Sequence, residues 1–191
     1  MTLFINACVR EESRTKLLVD YLLSRWNDRV EEVCLSELRF PITDEFFLNR
    51  RNQLIGAGAF QEHHFDLANQ FAQAERIVIA APYWDLSFPA SLKQYIEYIN
   101  VLGITFSYTP EGTPQGLCRA KDLYYVSSAG GTFVPEEFGF GYIKSLAENF
   151  YGIPSVHLIQ AAGLDIDGAD EEAILRRCRE SIDSRFPRDS H

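Results

Sequence analysis

The sequence predicts an α/β fold: a doubly wound, five-stranded parallel sheet with helices on both faces. Three observations carry this. Short apolar, β-branched runs alternate with amphipathic stretches about five times along the chain. One run, Ile77 to Pro82 ("IVIAAP"), is apolar without alternation, the mark of a strand buried on both faces. No repeat, low-complexity tract or linker interrupts the 191 residues, so 1–191 read as a single domain whose five units fall short of the eight a closed barrel needs.

The elements follow in order. Leu3 to Ala7 ("LFINA") is a short apolar strand. "SRTKLLVDYLLSRW" comes next, with Leu17, Leu18, Tyr21, Leu22 and Trp26 at helical spacing behind a Ser/Thr start. Val30 to Leu38 alternates imperfectly and reads as a second strand. "FQEHHFDLANQFAQAERI" places Phe60, His64, Leu67, Phe71 and Ala74 on one helical face. After the Ile77–Pro82 strand, "PASLKQYIEYI" is a helix with Pro89 in its first turn and Leu92, Tyr95, Ile96 and Ile99 as its apolar stripe. Gly112 and Gly116 suggest a hairpin-like excursion behind it. Asp122 to Ser128 is the fourth strand, running into Gly130-Gly131. "YIKSLAENFYG" is a helix closed by Gly152 with Pro154 beyond it. "VHLIQ" is the last strand, and "DEEAILRRCRESI" the last helix, acidic at its start and basic later.

Charge and cysteine usage narrow the function classes. A formal net charge of −9 argues against a nucleic-acid surface, which needs a basic stripe. No apolar run nears the roughly 18 residues of a membrane span. The start has no signal-peptide anatomy. Cys8, Cys34, Cys118 and Cys178 lie far apart with no CxxC pair, which suits reduced thiols in the cytoplasm. No metal is expected, since adjacent His63 and His64 are poorly spaced as ligands on one helix face.

Five such units fit the flavodoxin-like strand order, in which ligands bind beyond the carboxyl ends of the strands near the switch point. Three loops therefore matter. In "CVREESRTK" a helix N-terminus, the hydroxyls of Ser13 and Thr15 and the charges of Arg10, Arg14 and Lys16 make a phosphate cradle; equally, Ser13 is a plain cap and the arginines are solvated. In "PYWDLSF", Tyr83, Trp84 and Asp85 sit on a turn at the functional end of the sheet, where aromatics offer flat surface to a planar ring. In "SSAGGTF", paired glycines allow close backbone approach. Together the loops suit a ligand with a phosphate at one end and a flat heterocycle at the other, the shape of FMN.

The combination "SRTKLL…DYLL", "IVIAAPYWDLSFPASLKQYIEYINVLGITFSYTPEGTPQGL" and "YYVSSAGG" resembles the FMN-dependent NAD(P)H:quinone oxidoreductases and azoreductases of flavodoxin-like fold. The likeness covers most of the chain and is weakest between Arg39 and Phe60. It implies a homodimer with one FMN per subunit, NADH or NADPH as donor, a flat small-molecule acceptor, and a two-step cycle through the flavin. By matching position, it implies Cys8, Arg10, Ser13, Arg14 and Thr15 around the phosphate. Pro82, Tyr83, Trp84, Asp85 and Leu86 would line the isoalloxazine ring, and Ser128, Ala129, Gly130 and Gly131 its pyrimidine side. No catalytic side chain is implied, because the chemistry occurs at flavin N5 with Asp85 nearby. Phe106, Tyr108, Phe133 and Phe138 wall the acceptor pocket or the dimer contact on one reading, and each is equally well satellite core packing on the other. Three departures stand out: Asp85 where the family often has Asn, Ala129 where some members carry Arg, and a short first loop.

Two other readings share the residues. Cys8 and Arg14-Thr15 spell C-x5-R-T, the phosphate loop of low-molecular-weight phosphatases, in which a thiolate attacks phosphorus. Its five intervening residues, "VREES", hold no glycine and two acids, and the chain has no Asp-Pro dipeptide to supply a general acid. A non-enzymatic electron carrier of flavodoxin type fits the acidic charge but not "ACVREESRT", which lacks a Gly/Thr-rich phosphate loop.

Overall fold

Seven strands appear among the described residues, 1–188, of this computed structural model: β1 (Thr2–Asn6), β2 (Val30–Cys34), β3 (Arg76–Ala80), β4 (Phe106–Tyr108), β5 (Pro114–Gly116), β6 (Asp122–Ser128) and β7 (Ser155–Ala161). They alternate with helices α1 (Arg14–Leu23), α2 (Glu45–Gly56), α3 (Asp66–Gln73), α4 (Ala90–Ile99), α5 (Phe140–Leu146) and α6 (Glu171–Arg185). Five strands pair in parallel in the order β2-β1-β3-β6-β7, while β4 and β5 form a separate antiparallel hairpin. With the hairpin set aside, this is the flavodoxin-like order, and chain direction across the sheet reverses between β1 and β3.

Alternation along each buried strand divides the core into two layers. Leu3, Ile5, Ile77, Ile79, Leu123 and Tyr125 join Phe71 of α3 and Leu92 and Ile96 of α4 on one face. Phe4, Val78, Tyr124 and Val126 join Leu18 and Leu22 of α1 and Leu175 and Ile182 of α6 on the other. Each such Leu or Ile contributes about 1.5–3 kcal/mol by leaving water. A one-residue slip of any central strand would exchange its two faces, so the layers fix the register.

The helices differ from the sequence expectation in instructive places. α3 is shorter than its apolar stripe suggests: Glu62 is extended, His63–Phe65 make a single 3₁₀ turn, and Ala74 is extended again. The helix begun by α5 loosens into a π-helical turn over Ala147–Tyr151 and stops at left-handed Gly152. β2 ends at Cys34, and a turn follows where the strand was expected to continue to Leu38. The helix α2 lies where the resemblance was weakest. Its buried residues are only Phe47 and Leu54, two turns apart, so it lacks a readable stripe. Its one sequence signal is Asp44, whose carboxylate caps Phe47 N at 2.8 Å.

The expected excursion after α4 is the β4–β5 hairpin, with Gly112 left-handed in its turn at φ 82°. It lies against the π-helical turn so closely that a Cβ at Gly116 would fall on backbone atoms of Tyr151 and Gly152. Backbone atoms cannot swing aside as a flexible side chain does. Gly116→Ala is therefore expected to cost about 1–3 kcal/mol, read as a lower urea midpoint, and an unchanged midpoint would mean the hairpin is free to lift.

Candidate functional site

The carboxyl ends of β1, β3, β6 and β7 meet at one cleft of about 170 Å³. From the first loop its lining takes Val9, Arg10, Glu12, Ser13 and Arg14; from the second, Pro82, Tyr83 and Trp84; from the third, Ser128 and Gly130. Asp165, from the loop after β7, completes it. Three loops singled out in the sequence thus converge on one place. The fourth contributor, Asp165, and the first-loop residues Val9 and Glu12 were not anticipated. Asp165 had a signal, because the loop after the last strand also leaves the carboxyl edge of the sheet.

At the first loop, Ser13 caps α1 and accepts from Lys16 N at 3.3 Å, so it is a cap and a cleft residue at once. The first N–H groups of α1 have no intrahelical acceptors and carry the positive end of the helix dipole. Arg14 donates from Nη1 to Asp165 Oδ1 at 2.7 Å and to Glu171 Oε2 at 3.4 Å. These contacts raise the arginine's pKa and lower that of Asp165. Thr15 is fully buried, and its hydroxyl shares a 2.7 Å hydrogen bond with Ser128 Oγ, tying the first loop to the third. Cys8 is also buried beneath the loop. Burial pushes its thiol pKa up, against smaller opposite effects of Ser13 and Lys16. A helix N-terminus favours a thiolate, but at Cys8 desolvation outweighs that effect. Burial thus works against the thiolate a phosphatase needs, and its arginine is already paired.

The second loop holds the strongest local constraint in the site. Trp84 N donates to Ser87 O at 3.2 Å and Ser87 N to Trp84 O at 2.7 Å, closing a two-residue turn. Its central residues, Asp85 at φ 49° and Leu86 at φ 66°, are both left-handed. That pattern is normally supplied by Asn-Gly. Asp tolerates it, whereas Leu at positive φ is strained. Trp84 and Leu86 are each close to half exposed, but of this loop only Pro82, Tyr83 and Trp84 line the cleft, and the expected Asp85 and Leu86 do not. Tyr83 lies below, its N–H donating to Ser128 O at 3.0 Å and its hydroxyl buried without a protein partner.

The third loop is stitched to the segment after β7. Gly163, Leu164 and Asp165 donate to the carbonyls of Gly131, Ala129 and Gly130 at 2.9, 3.2 and 3.0 Å. Ala129 is buried and Gly131 does not line the cleft, so of the third loop only Ser128 and Gly130 face the opening.

The four aromatics expected around an acceptor separate. Phe106 is buried, packed edge-on against Tyr108 and Phe150 at 5.5 and 5.2 Å between centroids, and so belongs to the hairpin's packing. Tyr108, on the same hairpin, is half exposed. Phe138 is exposed beside the second loop, where its carbonyl accepts from Ser87 Oγ at 2.7 Å. Phe133 is the most exposed of the four.

Two expected outcomes follow from this geometry. Leu86→Gly should raise stability by about 1 kcal/mol, the relieved left-handed strain less the entropy of glycine; equal or lower stability in a denaturant titration without cofactor would show that the turn holds Leu86 unstrained. Iodoacetamide at neutral pH should leave Cys8 unmodified in the folded protein and modify it in denaturant. Rapid native labelling of Cys8, read by mass spectrometry, would contradict both its burial and its raised pKa.

The site has parallels among known proteins. A family model described as flavodoxin-like fold matches residues 1–186. The FMN-dependent NADH:quinone oxidoreductase of Clostridium perfringens is 35% identical over 179 residues, 89% of each chain. FMN-dependent NADH:quinone oxidoreductase 2 of Clostridium acetobutylicum is 46% identical over 125 residues, and the match spans 62% of this chain and 62% of that one. Among solved structures, an azoreductase from Bacillus anthracis superposes with a TM-score of 0.81 at 26% identity, over 96% of both chains. This chain belongs to the flavodoxin-like family of FMN-dependent NADH:quinone oxidoreductases and azoreductases.

Proposed function

We propose that the protein binds FMN in the four-loop cleft and uses it to carry electrons from NADH or NADPH to flat acceptors such as quinones and azo compounds. The observation that carries this reading is the make-up of the cleft: a capped helix N-terminus with Arg10 and Arg14 lines it together with Pro82, Tyr83 and the half-exposed Trp84. FMN, an anion joined to a planar heterocycle, has parts to match both.

FMN held there would supply the redox chemistry, two-electron transfer between a nicotinamide and the acceptor. The chain's own work is binding and orientation. First-turn N–H groups of α1 and the two guanidiniums hold the phosphate. The Trp84–Ser87 turn sets a rigid rim for the ring, because its paired hydrogen bonds and left-handed residues leave few alternative conformations. The flanking Trp84, Leu86 and Phe138 surfaces exclude water from one side and accept any flat apolar partner, which favours a broad acceptor range. No side chain in the cleft is assigned as an obligatory acid or base.

A homodimer belongs to the same reading, supported by an apolar face in which Ile42 and Phe46 are 84% and 80% exposed. A cytoplasmic setting is supported by four free cysteines. No helix among the described residues is long and apolar enough to cross a membrane.

One experiment tests the whole. Protein purified with FMN should show flavin absorption that bleaches with NADH or NADPH under anaerobic conditions, returns on adding a quinone, and elutes at twice the chain mass by light scattering. A preparation that takes up no FMN would overturn the reading. Bleaching without turnover on quinone would leave an electron carrier in its place.

A further inference from the structure

The phosphate end of the cleft carries a contradiction. A site for a dianion should offer free cations, yet the guanidinium of Arg14 is already held by two carboxylates. Asp165 is no stray surface acid. Its N–H donates to Gly130 O at 3.0 Å, which fixes its backbone at the cleft. Its carboxylate occupies the space above Gly130 where any other residue would carry a Cβ. Glu171 approaches from the first turn of α6, itself capped by Asp170 with a 2.9 Å bond to Ala173 N. Glu12 and Arg10 also line the opening, so two carboxylates face two guanidiniums around it. The segment from Asp165 to Glu172 adds further acids in Asp167, Asp170 and Glu172.

We propose that Asp165 is a positioning residue that holds Arg14 until the cofactor binds and must then surrender it to the cofactor's phosphate, so that it sets FMN affinity and the preference for FMN over riboflavin. The inference rests on the FMN reading of the cleft. An arginine fork binds a phosphate as it binds a carboxylate, through two parallel N–H donors. Asp165 and Glu171 both meet the guanidinium through Nη1, so a phosphate that takes a parallel pair of donors including Nη1 displaces them from that nitrogen. The displaced Asp165 is 64% exposed, so it can turn to water without disturbing the core. Riboflavin lacks the phosphate, gains nothing from the exchange and is indifferent to it. The carboxylate thus lowers the benefit of the phosphate below what Arg14 alone would supply, and makes FMN an exchangeable cofactor.

The test titrates the cofactor-free, full-length protein with FMN and, separately, with riboflavin, following quenching of flavin fluorescence. Asp165→Asn should tighten FMN about two- to fivefold, the scale of an exposed ion pair, and leave riboflavin unchanged. Glu171→Gln, which removes the longer contact, should shift FMN in the same direction by less. In an Arg14→Gln background the effect of Asp165→Asn should shrink, because the two residues act through one bond. Unchanged FMN affinity in both carboxylate variants would overturn the proposal while the FMN reading stands. So would equal tightening with and without Arg14, since that is direct repulsion. Failure of both flavins to bind the unaltered protein would overturn this inference and the cofactor reading together.

Discussion

The site depends on a ladder of backbone hydrogen bonds that continues past the strands. Ala7 N donates to Ala80 O at 2.9 Å, Ala81 N to Val126 O at 2.9 Å, Tyr83 N to Ser128 O at 3.0 Å, and Ala129 N to Ala161 O at 2.8 Å. Each loop is thereby gripped by its neighbour before it departs. The grip is inherited from the two-sided core, since Ile5, Ile79 and Tyr125 share one face and stand at matching levels of three adjacent strands. Packing sets the register, the register sets the ladder, and the ladder sets where Thr15 meets Ser128 and where Tyr83 lies.

Much of this was legible in the sequence because its cause is local. A β-branched run such as Ile77 to Ala80 cannot satisfy a helix stripe, and Ser13 or Gly152 marks a helix end by its own chemistry. Topology then directed attention to three loops, and all three line the cleft. What escaped had non-local causes. Asp165 reaches Arg14 across 151 positions, through the pairing of β6 with β7, which no short motif announces. α2 is held by two buried residues and a cap, too few for a pattern. Phe106 resembled an acceptor wall because sequence shows residue type but not depth. Its burial comes from the hairpin folding onto Phe150.

The departures from the family pattern look different once the geometry is known. Asp85 stands where Asn is frequent, and both tolerate the left-handed conformation that the turn requires. The substitution therefore preserves the fold of the rim and changes only its charge. Ala129 stands where the resemblance leads to an expectation of Arg in some members. Here its N–H and C=O are both engaged and its side chain is buried, so the position serves the stitching of two loops rather than the cleft.

Net charge is a poor guide to what such a cleft binds. Fields between exposed charges fade within about 8–10 Å at ordinary salt, so acids elsewhere on a chain of charge −9 matter little beside the groups at the opening. At the phosphate end the decisive quantity is which anion the Arg14 fork is holding. A carboxylate fixed by Gly130 and a phosphate carried in by a ligand are rivals for the same donors, and a short first loop leaves few others to recruit. Affinity at this site is therefore governed by a local competition, whose strength follows from the distance between two side chains and from the absence of a Cβ at one glycine.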